Sequence, residues 1–251
     1  MNMNEVHSID QERVLPLHEL KIKIFSDGAD LDSIMKACQS GIIKGFTTNP
    51  TLMARAGVSN YITFAREMLR IVPQLPVSFE VFSDDLESMS QQAHRLHELG
   101  DNVYVKIPVT NTKKQSTVPL VRELSKAGLK LNITAVFSLR QVLEIADVLN
   151  PGIPAIVSVF AGRIADSGRD PVPLMEKALD ILRPLENTEL LWASPREVYN
   201  IIQADAINCH IITVTPDLIA KTSKFGINLE DFSLETVKMF HNDALNSGFK
   251  I

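Results

Sequence analysis

Val103-Tyr104-Val105-Lys106-Ile107-Pro108 is the stretch on which the reading of this chain turns. A β-strand sends successive side chains to opposite faces. Val103, Val105 and Ile107 therefore share one face, and Tyr104 and Lys106 point to the other. An ammonium inside protein is costly unless paired, and burial drives such a group toward the neutral amine. A neutral amine attacks carbonyl carbons. A strand-end lysine that snorkels to solvent is the ordinary alternative, so the choice depends on what surrounds this strand in sequence.

Working outward, β-type runs alternate with amphipathic helical stretches at regular spacing. The strand candidates are Lys21–Asp27, Gly45–Asn49, Val77–Phe82, Val103–Pro108, Lys130–Phe137, Ala155–Ala161, Glu189–Ser194 and Cys209–Thr215. Helical patterns include Leu86–Leu99, Gln115–Lys126, Leu139–Leu149 and Pro195–Ala206; Leu86, Met89, Ala93 and Leu96 form one apolar stripe. Gly128 and the Asn150-Pro151-Gly152 turn punctuate the units. Eight such units in about 230 residues predict a (β/α)8 TIM barrel. One helix, Asp231 to Leu245, is surplus to that count and is expected to pack on a neighbouring subunit. No Pro/Gly/Ser-rich linker divides the repeat. The expected organisation is a lead-in over residues 1–20 and one barrel domain over residues 21–251, the C-terminal helix included.

Composition narrows the function classes. Of 251 residues, 45% are apolar and 22% charged, which suits a soluble globular protein with a large core. No run approaches the roughly 20 apolar residues of a membrane span, and the first 20 residues hold no secretory h-region. A net charge of −5 argues against a nucleic-acid partner but permits a small cationic pocket. Cys38 and Cys209 are too few for a disulfide framework, which points to a reducing cytoplasm. His94 and His97 lie three apart on a polar helical stretch with no further ligand nearby in sequence, and read as a solvated face rather than a metal site. No Walker loop and no GxGxxG supports a nucleotide cofactor.

The strands carry the chemistry. Seven of the eight alternate an apolar set with a set that carries a polar residue near its end: Phe25 and Asp27; Thr47 and Asn49; Ser78 and Glu80; Tyr104 and Lys106; Asn132 and Thr134; Ser158 and Phe160; Trp192 and Ser194. The helix-facing side of a barrel strand must be apolar, so the polar set is expected to face the barrel mouth, where such barrels do their chemistry. A desolvated lysine condenses with a ketone to an iminium, an electron sink for breaking the adjacent C–C bond. Asp27 and Glu80 supply carboxylates for the proton transfers. Asn49, Asn132, Thr134 and Ser158 suit the hydroxyls of a sugar. Arg163 and Arg196, just past two strand ends, suit a phosphate or similar anion.

These residues resemble the transaldolase family. The matching segments are Phe25-Ser26-Asp27-Gly28-Ala29-Asp30, Thr47-Thr48-Asn49-Pro50-Thr51-Leu52, Val105-Lys106-Ile107-Pro108, Asn132-Ile133-Thr134-Ala135-Val136-Phe137-Ser138 and Ser158-Val159-Phe160-Ala161-Gly162-Arg163, continued by Trp192-Ala193-Ser194-Pro195-Arg196 and Ile212-Thr213-Val214-Thr215-Pro216. The resemblance implies cofactor-free, metal-free Schiff-base chemistry of the transaldolase, pentose phosphate type, with Lys106 as the nucleophile. It implies that Asp27 is the base at the substrate hydroxyl beside the breaking bond, and that Glu80 and Thr134 manage protons with a water. It assigns Asn49, Asn132 and Ser158 to the dihydroxyacetone unit and Arg163, Ser194 and Arg196 to the anionic tail, with Thr47 and Phe160 also in the substrate-binding set. Small fructose-6-phosphate aldolases of the same family are closer in length, but that branch typically carries Gln where this chain has Glu80 and Tyr where it has Phe160. A phenol there helps protonate and release the enamine; Phe160 cannot. The pattern therefore favours transfer between sugar phosphates, with release of free dihydroxyacetone as the alternative and a non-catalytic sugar-phosphate-binding barrel a distant third. The short members also imply a homo-oligomer built on pentameric rings.

Overall fold

The computed structural model describes residues 14–250; most of the expected lead-in, residues 1–13, lies outside the described residues. Two compact units divide them, residues 21–220 and the flanking residues 14–20 with 221–250. The first unit is the barrel. Its strands are β1 (Lys23–Asp27), β2 (Ile43–Thr47), β3 (Val77–Glu80), β4 (Val103–Pro108), β5 (Leu131–Val136), β6 (Ala155–Val159), β7 (Thr188–Trp192) and β8 (Ile211–Val214). All pair in parallel in sequence order, and β8 returns to β1, so the sheet closes and leaves no edge. The helices between them are α1 (Leu31–Gln39), α2 (Pro50–Arg55), α3 (Tyr61–Ile71), α4 (Leu86–His97), α5 (Val118–Lys126), α6 (Leu139–Ala146), α7 (Ala161–Asp166), α8 (Val172–Leu182) and α9 (Asn200–Ala206), with α10 (Pro216–Lys221) after β8. The chain is a (β/α)8 TIM barrel with an additional C-terminal helix.

Strand β4 shows why the lysine faces inward. Val103, Val105 and Ile107 are fully buried against the helices, each contributing on the order of 1.5–3 kcal/mol. A one-residue slip would turn all three into the barrel interior and set Lys106 against the helices. Inside the barrel, Phe25, Ile156, Leu191, Ala193 and Ile211 form one cluster with Tyr104 and Phe160 packed against it. These come from strands that are not all neighbours, so they can meet only in the interior. Phe25, Tyr104, Ile156 and Ile211 each precede by two residues a polar side chain of the same face: Asp27, Lys106, Ser158 and Thr213. The apolar layer thus closes the barrel beneath a polar one. Gly45 is part of this layer by necessity, because a Cβ there would lie 2.5 Å from the Phe25 ring.

This cluster corrects the reading of β7. Leu191 and Ala193 occupy the interior, so Trp192 faces the helices, where it is fully buried. Ser194 lies beyond the strand with φ 60°, in the left-handed region. Strand parity counted back through such a residue is wrong by one.

Predicted element ends run long where side chains take over the backbone. Phe137 N and Ser138 N both donate to Gln141 Oε1, and Ser138 Oγ accepts from Gln141 N, a capping box that starts α6. At its other end Val148 N bonds Ile145 O, tightening the last turn, so α6 stops at Ala146 instead of Leu149. The predicted helix from Pro195 begins only at Asn200, because Asn200 Oδ1 first accepts from Arg196 N and Glu197 N.

In the second unit, α11 (Leu229–Ser247) is slightly longer than the expected Asp231–Leu245 helix. Asn228 caps it by accepting from Glu230 N and Asp231 N, those two carboxylates suit the N-terminal dipole, and Gly248 ends it at φ 68°. None of its residues is buried. Among the described residues no helix is long and apolar enough to cross a membrane.

Candidate active site

The C-terminal ends of the strands gather the predicted groups. Parallel register sets Glu80 beside Lys106 and Lys106 beside Asn132. Lys106 is 8% exposed, and its Nζ lies 3.1 Å from Glu80 Oε2 and donates to Thr48 O at 3.2 Å. The carbonyl of Thr48 is available because the chain leaves β2 there: Thr48 N and Oγ1 both donate to Ser78 O, and Asn49 turns to cap α2 by accepting from Leu52 N. Of the Asn49 amide, then, the oxygen is already engaged.

Asp27 completes the charged set at the end of β1. Burial raises its carboxyl above the ordinary range, outweighing the opposing attraction of Lys106 and the hydrogen bond from Thr47, while Glu80 adds to the rise. Thr47 Oγ1 donates to Asp27 Oδ1 at 2.8 Å and lies 2.6 Å from Thr213 Oγ1. Opposite, Ser158 Oγ donates to Asn132 Oδ1 at 2.6 Å and Asn132 Nδ2 donates to Ser78 Oγ at 2.9 Å, which fixes the orientation of the buried amide. Thr134, 2% exposed, has a buried hydroxyl without a protein partner. Such a group costs about 1–3 kcal/mol. The next residue, Ala135, is left-handed at φ 57° and interrupts the β5–β6 register.

Arg196 has a carboxylate partner, Asp166, which also feels the charge of Arg163. Arg196 Nε donates to both carboxylate oxygens of Asp166 at 2.9 and 3.0 Å, and its Nη2 adds a close contact to Oδ2. The bonds from Arg196, with its charge and that of Arg163, hold Asp166 below the usual carboxylate range. Arg163 itself lies 5.5 Å from the Phe160 ring centre, and Phe160 packs on Phe137 at 5.6 Å. Gly162 lets the two loops touch: its N bonds Ala193 O, and a Cβ there would meet Ser194 O at 1.6 Å. So Phe160, Arg163, Ser194 and Arg196 belong to one corner of the rim, yet Arg196 carries a carboxylate partner that sequence did not suggest.

Two clefts adjoin the rim. One, of about 710 Å³, runs from Glu80 and Pro108 along the Tyr61 and Phe82 rings, which lie 4.4 Å apart. The other, of about 360 Å³, reaches Asp27 past Gly28 and Leu52. Tyr61 OH donates to Glu80 O, and burial and the Glu80 charge push the phenol up. Three residues of this network were not singled out from sequence. Ser78 carried a signal, two positions before Glu80 on the same face; Thr213 sat in an otherwise apolar strand; Tyr61 belongs to a helix and gave none. Among the described residues no cluster of three or more His, Cys, Asp or Glu is placed to hold a metal ion.

Residues 24–250 match the family model described as Transaldolase/Fructose-6-phosphate aldolase. A "Probable transaldolase" of Thermoanaerobacter sp. (strain X514) is 34% identical over 92% of this chain and 100% of its own length. Another of the same description, from Nitrosopumilus maritimus (strain SCM1), is 35% identical over 84% of this chain and 93% of its own. Among solved structures, a 2,3-dimethylmalate lyase of the PEP mutase/isocitrate lyase superfamily aligns with TM-score 0.53 at 12% identity, over 97% of this chain and 88% of that one. At that identity the likeness extends to the barrel fold alone.

Proposed function

Because the chain belongs to the transaldolase/fructose-6-phosphate aldolase family and is an enzyme of transaldolase type, we propose that it transfers a dihydroxyacetone unit from a ketose phosphate, such as fructose 6-phosphate, to an aldose phosphate. The carrying observation is the buried Lys106 Nζ, set between Glu80 and Thr48 O and within the electrostatic reach of Asp27.

The amine of Lys106 adds to the ketone carbon, and the carbinolamine formed loses water to give the iminium. Glu80, 3.1 Å from the nitrogen, takes the proton as the amine attacks and returns one to the departing hydroxyl. The unpartnered Thr134 hydroxyl supplies a further hydrogen bond to that hydroxyl or to the water it becomes. Asp27 then removes the proton from the hydroxyl on the far carbon of the breaking bond, the carbon that becomes the aldehyde. The C–C electron pair moves into the iminium, the aldehyde leaves, and an enamine remains on Lys106. The raised carboxyl of Asp27 suits a group that must take this proton and return it to the new hydroxyl when the acceptor adds. Asn132, oriented by Ser158 and Ser78, and Asn49 hold the hydroxyls of the three-carbon unit, while Thr47 holds the Asp27 carboxylate. Arg163, Ser194 and Arg196 receive the anionic tail.

Phe160 favours transfer over simple cleavage. Its ring is packed between Phe137 and the Arg163 guanidinium and brings no hydroxyl to protonate the enamine. The enamine therefore waits for an acceptor aldehyde. The test is a screen of ketose donors against aldehyde acceptors that follows transferred product and free dihydroxyacetone together. Transfer well in excess of release supports the reading; release without an acceptor, at rates near those with one, assigns the aldolase activity instead.

Exposed Phe232, Met239 and Phe240 on α11 support a homo-oligomer in which this helix packs against another copy. Sedimentation of the full chain checks it. Two unpaired cysteines, Cys38 and Cys209, agree with a cytoplasmic setting.

A further inference from the structure

Closing the barrel brings β8 against β1, and with it a residue outside the substrate-binding set. Thr213 is 7% exposed, and its Oγ1 lies 2.6 Å from Thr47 Oγ1, which in turn donates to Asp27 Oδ1 at 2.8 Å. A threonine hydroxyl has one proton to give, and an ionised carboxylate only accepts. With Asp27 ionised, the single proton of Thr47 is committed to Asp27. The 2.6 Å contact must then be filled by the proton of Thr213. The direction of the chain follows from counting protons: Thr213 to Thr47 to Asp27.

We propose that Thr213 is a positioning residue for the reaction, acting through Thr47 to orient the Asp27 carboxylate and to sustain its ionised state during C–C cleavage. The inference rests on the reading of Asp27 as the base in that step. A hydroxyl that accepts a hydrogen bond is a better donor, so each bond in the chain strengthens the next. The charged groups acting on Asp27 are Lys106 from β4, which favours ionisation, and Glu80 from β3, which opposes it. Strands β2 and β8 face it with the two hydroxyls. The side-chain hydrogen bond of Thr213 runs to Thr47 and not to the lysine or the anion corner, so its loss should act through Asp27 and leave Schiff-base formation intact.

The experiment compares Thr213→Val, nearly the same shape without the hydroxyl, with Thr213→Ser, which keeps it; Thr213→Ala serves if the valine variant does not fold. The readouts are the pH profile of kcat/KM with fructose 6-phosphate and borohydride trapping of that donor on Lys106. In Thr213→Val the acid limb moves to higher pH and turnover on the acid side falls at least about threefold, while trapping at saturating donor is unchanged. Thr213→Ser restores the wild-type limb. In a Thr47→Val background, Thr213→Val shifts the limb no further, because the link is already broken. An unmoved limb in Thr213→Val, a serine variant no better than the valine one, or additive shifts with Thr47→Val would each overturn the proposal. Absence of trapping in the wild type instead defeats the Schiff-base reading itself, so the two failures are distinguishable.

Discussion

Gly162→Ala probes the anion corner from outside the substrate. A Cβ at this position would stand 1.6 Å from Ser194 O and 2.6 Å from Ser194 C, where real Cβ contacts essentially never fall under 3.0 Å. The Ser194 carbonyl must therefore retreat by at least 1.4 Å, the difference between these limits. It has little freedom to do so. Ser194 is already left-handed at φ 60°, and Ala193 before it is tied on both sides, by its N to Val159 O at 2.8 Å and by its O to Gly162 N. Overpacking of this kind costs about 1–3 kcal/mol, or roughly 2–12 °C in Tm for a chain of this size. Function should suffer more, because a misplacement near 1 Å costs up to about 100-fold. We expect kcat/KM for fructose 6-phosphate to fall about 10- to 100-fold, chiefly through KM. Fructose, which breaks at the same bond but has no tail to bind, should change less than about twofold as donor to an uncharged acceptor. Thermal melting and steady-state kinetics with the two donors measure both effects. A variant with wild-type Tm and kinetics, or one that loses both donors equally, would refute the coupling of Gly162 to the anion corner.

Arg196→Lys removes the planar fork that now grips Asp166 and should raise KM for phosphorylated donors about tenfold, with the tailless donor unaffected, as donor-dependent kinetics would reveal. Phe160→Tyr places a phenol beside the enamine, and the ratio of free dihydroxyacetone to transferred product should rise about tenfold or more; an unchanged ratio contradicts the role given to Phe160. The pH profile of kcat/KM has a definite sign. The ionised form of Asp27 is the base, and burial lifts its carboxyl above 3.8, so the acid limb should lie above pH 3.8 and activity should fall as pH drops through it. A limb at or below that value contradicts the burial argument.

Much of this molecule was legible before its structure, for physical reasons that differ from residue to residue. Strand β4 could be read face by face because three fully buried apolar residues tolerate no slip. Asp27, Glu80, Lys106, Asn132 and Ser158 followed by the same parity, each on a strand that keeps its extended backbone to that point. Strand β7 failed the same logic, because Ser194 lies past the strand end with a left-handed backbone and does not share the alternation that pairs it with Trp192. Thr213 looked like one polar residue in an apolar run, and only closure of β8 onto β1 reveals its partner. Asp166 was illegible for another reason. Its bond to Arg196 spans 30 residues, from a helix end to a bend, and no local periodicity encodes such a pairing.

The central claim is that Lys106 is the residue that becomes covalently bound to substrate. The direct test is reduction with borohydride in the presence of fructose 6-phosphate, followed by peptide mass mapping. The account predicts one donor-dependent adduct, on Lys106, absent from Lys106→Met. An adduct on another lysine, or turnover that survives in Lys106→Met, would contradict it.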